Sequence, residues 1–143
     1  MIDAVIARLS SEVAELDNRT YGAADLADLT RRNALPQHTP AAHIIPLGLV
    51  GRAADAGAGA FTQMIEEAFA VILTVRNHTP AGKRAMADLR GLIRRIVNAI
   101  AGWAPDEEVG VFRLTRGSIV SSNAGTVIYQ IDFTITDQLR IFP

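Results

Sequence analysis

The chain opens on a repeat of apolar positions at steps of three and four: Ile2, Val5, Ile6, Leu9, Val13 and Leu16. That spacing predicts an amphipathic helix of about four turns. A shorter helix is predicted from Ala23 to Arg32, with Leu26 and Leu29 inward and Tyr21-Gly22 as the break before it. Prolines 36 and 40 mark 33–40 as a loop. The pattern then changes. Ala41 to Leu49 is a short apolar run bounded by Pro and Gly, read as a strand. Pro46 inside it cannot donate to a ladder, so the strand lies at an edge or carries a bulge. Gly51 to Ala60 holds small side chains with little to bury and reads as a mobile loop. From Thr62 to Arg76 the odd positions Ile65, Phe69, Val71, Leu73 and Val75 would share one face of one long strand.

Pro80 marks the next helix, running to about Ala101. Met86, Leu89, Ile93, Ile96, Val97 and Ile100 make its stripe, and Gly102-Trp-Ala-Pro105 ends it. Three strands are predicted after it: Val109 to Leu114, Ser118 to Ser122 and Thr126 to Thr136. Asn123-Ala-Gly125 is the turn between the last two. The order is αα-ββ-α-βββ. It predicts an α+β domain, with an antiparallel or mixed sheet of about four to five strands and helices packed on one face.

Composition narrows the classes. A chain of 143 residues is most simply one domain, 1–143, and at that length it buries roughly 70% of its unfolded surface. Hydrophobic residues at 49% and charged residues at 20% place it among folded proteins. Having no cysteine excludes disulfides, thiolate metal sites and a thiol nucleophile. The charged residues inside the first apolar pattern argue against a secretory signal, and no apolar run reaches membrane-spanning length. Asn18-Arg-Thr20 and Asn77-His-Thr79 match the glycosylation acceptor pattern and are read as chance. The net charge of −1 argues against a protein built mainly to hold nucleic acid.

Charge is uneven along the chain. Residues 1–60 carry 5 basic and 7 acidic residues, a net −2. Residues 61–105 carry 6 and 3, a net +3, and residues 106–143 carry 3 and 5, a net −2. A basic middle between acidic ends suits contacts between copies. On the third helix Lys83, Arg90 and Arg94 fall within about 40° of each other at 100° per residue, with Arg84 and Arg95 on the far side. This stripe is a candidate subunit interface or lumen surface. The bland alternative is a solvated flank whose arginine stems cover apolar surface.

Candidate chemistry is thin. Gly82-Lys83 lacks the glycine at 77 and the hydroxyl at 84 of a phosphate-binding loop. His38, His43 and His78 have no convergent ligands and read as loop or surface residues. Ser118, Ser121 and Ser122 have no nucleophile elbow around them. Glu66-Glu67 and Asp106-Glu-Glu108 are sequence neighbours, not opposed carboxylates, and read as solvated charges. Trp103 reads as a lid on the core. No catalytic residue, metal or cofactor is expected.

The order of segments carries a resemblance over nearly the whole chain. It runs through Met1-Ile-Asp-Ala-Val-Ile-Ala-Arg-Leu9, Gly22-Ala-Ala-Asp-Leu-Ala-Asp-Leu29, Leu35-Pro36 and Thr39-Pro-Ala-Ala-His-Ile-Ile-Pro-Leu-Gly48. It continues in Phe61 to Asn77, Gly102-Trp-Ala-Pro105 and Tyr129-Gln-Ile-Asp-Phe133. In these the chain resembles the tail terminator proteins of long-tailed phages and related gene-transfer particles, small subunits similar in fold to the lambda-type minor tail protein U. The resemblance implies a structural virion protein and no reaction. Such subunits form a ring, typically a hexamer, on the head-proximal end of the tail tube. The ring ends tube polymerisation, meets the head-completion or connector protein and passes the genome through its lumen. The implied partners are other copies, the tail tube protein and the connector. DNA is met only in passage, and no membrane is involved. The implied location is the virion neck, assembled in the bacterial cytoplasm. In this reading the 51–60 loop, with Gly51, Arg52, Asp55, Gly57 and Gly59, contacts the ring below. Another neck component, such as a head-closure ring protein, and a small α+β ligand-binding domain are the alternatives.

Overall fold

The computed structural model describes residues 1–57, 59–76, 83–106, 110–123 and 125–142, and of 83–87 the backbone alone. Its centre is a pair of long strands, β3 (Phe61–Arg76) and β5 (Thr126–Ile141), antiparallel over their whole length. β2 (Ala41–Asp55) flanks β3 and β4 (Arg113–Asn123) flanks β5, both antiparallel. β1 (Thr20–Tyr21) adds two residues parallel to β2, completing a mixed sheet in the order β1-β2-β3-β5-β4.

The alternation in β3 decides which face is covered. Phe69 pairs with Phe133 and Val71 with Ile131, so their side chains form one apolar row. Against that row pack Val5 and Leu9 of α1 (Ile2–Glu12) and Leu89, Leu92, Ile96 and Ile100 of α3 (Lys83–Ile100), all buried. Phe69 stacks on Phe133 at 5.4 Å and meets Phe112 edge-on at 5.0 Å. Trp103, half-buried, lies 5.9 Å from Phe112 and closes the end of this stack, the core role expected of it.

The two covering helices are also joined directly. The Arg8 guanidinium lies over the Trp103 ring at 5.2 Å while its Nε donates to the Ala99 carbonyl at 3.0 Å. Arg95 pairs with Glu15 in the one-turn 3-10 helix Ala14–Leu16 that follows α1. The remaining helix, α2 (Ala23–Arg31), contributes nothing to that core and sits beside β2. Its first turn is set by Asp25, whose carboxylate accepts the Gly22 N–H at 3.3 Å.

The predicted class, the long β3 and the second and third helices agree with this arrangement; α1 stops at Glu12, with Leu16 in a separate 3-10 turn, β5 runs past Thr136 to Ile141, and three further boundaries differ. The expected strands 109–114 and 118–122 are one strand, β4, because the ladder with β5 continues through irregularities at Leu114/Arg116 and Ile119/Ser121. The expected loop 51–60 is strand as far as Asp55. Its small side chains still give β2 a backbone ladder to β3 through a bulge between Gly51 and Ala54. Only 56–60 remains as the connection, with residue 58 outside the described residues. Tyr21, expected in a break, lies in β1. Both readings of Pro46 hold: a bulge separates Pro46 from Gly48, and β1 covers only Ala42 and His43, so Pro46 is on an open edge. Pro80, His78, the 77–79 acceptor pattern, Glu107, Glu108 and Val109 lie outside the described residues.

Candidate assembly surfaces

Among the described residues, both long edges of the sheet lack a strand partner. β4 is exposed at almost every position, with Leu114, Ile119 and Val120 in solvent. Beyond His43 the outer side of β2 is open too, and Leu47, Leu49 and Val50 are exposed there. Natural sheets guard such edges with Lys, Pro, bulges or very short strands. Here β2 has Pro46 and two irregularities, while β4 has two irregularities but no Lys and no Pro.

Past the helices the sheet continues as a three-stranded arm of β2, β3 and β5. Phe61 pairs with Ile141 near its tip, and Leu139, Ile141 and Phe142 are exposed, Phe142 by 74%. The candidate partner-contacting residues divide along this arm. Gly51, Arg52 and Asp55 are on β2, while Gly57 and Gly59 are in the tip connection, where the Gly57 N–H donates to the Asp55 carboxylate at 3.0 Å. Arg52 is engaged: its guanidinium meets Glu66 on β3 at 3.1 Å. Arg113 on β4 reaches the same carboxylate at 3.5 Å and donates to the Thr136 hydroxyl at 3.2 Å. The row spans all four long strands. The Arg52 hydrogen bond is the main cause that holds the Glu66 carboxyl below its ordinary range; desolvation opposes it next, and the fields of Arg52 and Arg113 with the Arg113 hydrogen bond add to the lowering. Glu66 is therefore a paired group, not the solvated charge the sequence suggested.

The cationic stripe of α3 is present as far as it is described. Arg90 and Arg94 are exposed and, among the described residues, form no ion pair. Arg95 takes Glu15 on the far side, as the helical angle requires. The Lys83 side chain lies outside the described residues.

His43 departs from its expected place. It pairs with Ile72 and so points away from the main core, yet it is only 1% exposed. Its ring lies 5.2 Å from Tyr21, and α2 with the 36–38 segment builds a cleft of about 260 Å³ over it. The alternation of Ala42, His43 and Ile44 could have shown this facing; the cover from α2 left no signal in the sequence. Among the described residues, Nδ1 has no hydrogen-bond partner. Burial lowers the His43 pKa, and Asp25 offsets this in part. The unfolded chain thus takes up the proton at higher pH than the fold, so stability falls as pH drops through the ordinary imidazole range toward the folded value. Replacing His43 with Phe keeps a ring against Tyr21 and removes the titration. Thermal unfolding at pH 8 and pH 5 is expected to show a smaller acid loss in the variant than in the parent. An identical acid loss in both would show that His43 does not titrate on unfolding.

Among the described residues no three His, Asp or Glu side chains could hold a metal, and no helix is long and apolar enough to cross a membrane. The surfaces on offer are two strand edges, an apolar arm and a basic helix flank, all features of a subunit that meets other proteins.

Comparison with known proteins agrees. No curated protein shows significant sequence similarity to the chain. A solved structure titled "Virion of native gene transfer agent (GTA) particle" contains a chain of the same fold. The match has a TM-score of 0.56 at 13% identity and covers 97% of this chain and 95% of that one. The family model described as phage tail terminator protein matches residues 2–141, from the first turn of α1 to the end of β5. The chain belongs to the phage tail terminator family, a family of structural components of the phage tail.

Proposed function

We propose that this subunit forms a closed ring, of six copies, on the head-proximal end of the tail tube. There it ends tube polymerisation, gives the head-completion or connector protein its seat, and lets the genome pass through the lumen. The site of action is the virion neck, assembled in the bacterial cytoplasm, and no reaction is catalysed. The observation that carries this reading is the family match over residues 2–141. The apolar arm supports a role in contact with the tube end, with Arg52, Asp55, Gly57 and Gly59 near its tip.

Native mass spectrometry over a wide concentration range tests the ring, followed by electron microscopy of the protein mixed with tail tubes. A closed species near six times 15.3 kDa, or rings seated on tube ends, is the expected result. A dimer that never grows, with bare tube ends, would overturn it.

The basic flank of α3 belongs to the same proposal, as a contact between neighbouring subunits. Reversing Arg90 and Arg94 to Glu places repulsion at every interface of the ring. Exposed ion pairs contribute about 0.2–1 kcal/mol each. Loss of two, with repulsion in their place, is expected to raise the concentration needed for ring formation by about tenfold. Unaltered assembly of the double variant would remove this flank from the interface.

A further inference from the structure

We infer that the ring closes by strand pairing, with β4 of one copy adding to β2 of the next so that one continuous antiparallel sheet runs through all subunits. The inference rests on the ring reading above and names its interface.

Strand direction is the first argument. The four long strands alternate, so β2 and β4, at opposite edges, run in opposite directions. A neighbour related by rotation, with its strands kept in the same sense, brings its β4 beside β2 antiparallel. The alternation then passes from copy to copy without a break. Such a contact joins two different surfaces of the same chain, and it closes into a ring when the rotation divides a full turn.

Length and position are the second. β1 blocks β2 at Ala42 and His43, leaving a free run from Ile44 to Asp55. β4 runs from Arg113 to Asn123, which fills that run almost completely. Centred on it, β4 brings Ile119 opposite Leu49 and Ser118 opposite Val50, with the Arg113 end toward Asp55.

Sidedness is the third. Ile119 pairs with Tyr129, and Leu49 pairs with Glu67, which pairs with Ile135; Tyr129 and Ile135 both belong to the helix-covered side. Ser118 pairs with Gln130 and Val50 with Glu66, on the other side. The centred register therefore keeps like faces together, as a pleated sheet demands. It also covers two of the most exposed aliphatic side chains, Leu49 at 63% and Ile119 at 52%. β4 also carries neither Lys nor Pro, two of the guards that keep solitary edges apart.

The chain has no cysteine, so an engineered pair reports without background. Leu49→Cys with Ile119→Cys, oxidised under conditions where native mass spectrometry finds the oligomer, is expected to give a ladder of covalent multimers ending at the closed ring. Each single variant should stay uncrosslinked. Val50→Cys with Ser118→Cys repeats the test on the opposite face, because only one of two adjacent pairs brings its Cβ atoms close enough for a disulfide. A third variant, Ile119→Lys, guards the edge and is expected to weaken assembly at least tenfold while circular dichroism and melting of the monomer stay unchanged. Rings that form normally while neither cysteine pair crosslinks would overturn strand pairing and leave the ring standing. Crosslinked dimers from Ile119→Cys alone would show two-fold pairing of β4 with β4 and overturn it as well. Absence of any oligomer, in solution and on tube ends, would sink the ring reading and this inference with it.

Discussion

Replacing Phe69 with alanine is expected to lower the free energy of unfolding by about 3–5 kcal/mol, the range for large aromatic truncations in cores. Phe69 is fully buried at the middle of β3. It stacks on Phe133 from β5 and meets Phe112 edge-on, so one side chain ties the central strand pair to the segment that follows α3. Alanine removes the transfer energy of the ring and both aromatic contacts, and it leaves a cavity between the sheet and its helices. The cavity closes poorly because β3 is held by ladders on both sides and cannot move toward the helices. In thermal unfolding the loss corresponds to about 8–15 °C for a chain of this size. Phe69→Leu keeps most of the volume and should cost less than half as much. A loss below about 1 kcal/mol for alanine would mean that α1 and α3 settle into the space and that the aromatic stack is not the keystone of the core.

The parts of the fold that were legible in the sequence are the parts that bury a face. α1 and α3 advertise a stripe because one side of each meets the sheet. β3 advertises Phe69, Val71 and Leu73 because those three sit under the helices. The misread parts are those whose structure is held by backbone pairing alone. β4 lies at an edge with both faces exposed, so nothing enforces alternation, and Thr115-Arg-Gly117 reads as a break although the ladder runs through it. The distal half of β2 is built of Gly, Ala and charged residues and reads as a loop, yet β3 supplies it with hydrogen-bond partners. β1 is too short to carry a pattern.

The candidate surfaces follow the same division. The α3 stripe was legible because helical geometry converts spacing into angle, and Arg90 and Arg94 are exposed while Arg95 turns to Glu15. Arg52 was legible as a charge in a small-residue stretch, but its pairing with Glu66 depends on a β2–β3 register that no local pattern encodes. Pro46 marked β2 as an edge candidate, but the β4 edge was invisible for a deeper reason. An edge is a property of strand order, and the order β2-β3-β5-β4 places the last strand of the chain inside the sheet and the strand before it outside. The family resemblance, by contrast, needs no register: it follows the order of segments along the chain, which is why the family was easier to read than the candidate surfaces.

Glycine 110 gives a sharper test of how the end of the core is fastened, through two substitutions that look alike on paper. At Gly110 an added Cβ would collide with the Thr136 carbonyl oxygen, a backbone atom of β5, with the carbonyl carbon only 3.4 Å away. Nothing there can swing aside. The segment carrying Gly110 would have to lift, and it leads directly to Phe112, which is pinned on both sides. The Phe112 N–H donates to the Trp103 carbonyl at 2.9 Å, and the Phe112 carbonyl accepts from Gly102 at 2.8 Å. Gly110→Ala is therefore expected to cost about 1–3 kcal/mol, as overpacking does, and to loosen Phe112 against Phe69. At Gly117 an added Cβ would sit 2.8 Å from the Tyr129 hydroxyl, the far end of a side chain that can rotate away. Gly117→Ala should cost clearly less. Urea unfolding of the two variants side by side measures the difference, and tryptophan fluorescence of Trp103 reports whether the Phe112 contact has opened. Equal losses, with no change at Trp103, would mean that the segment from Gly110 to Phe112 yields as easily as a tyrosine ring and does not hold the aromatic stack in place.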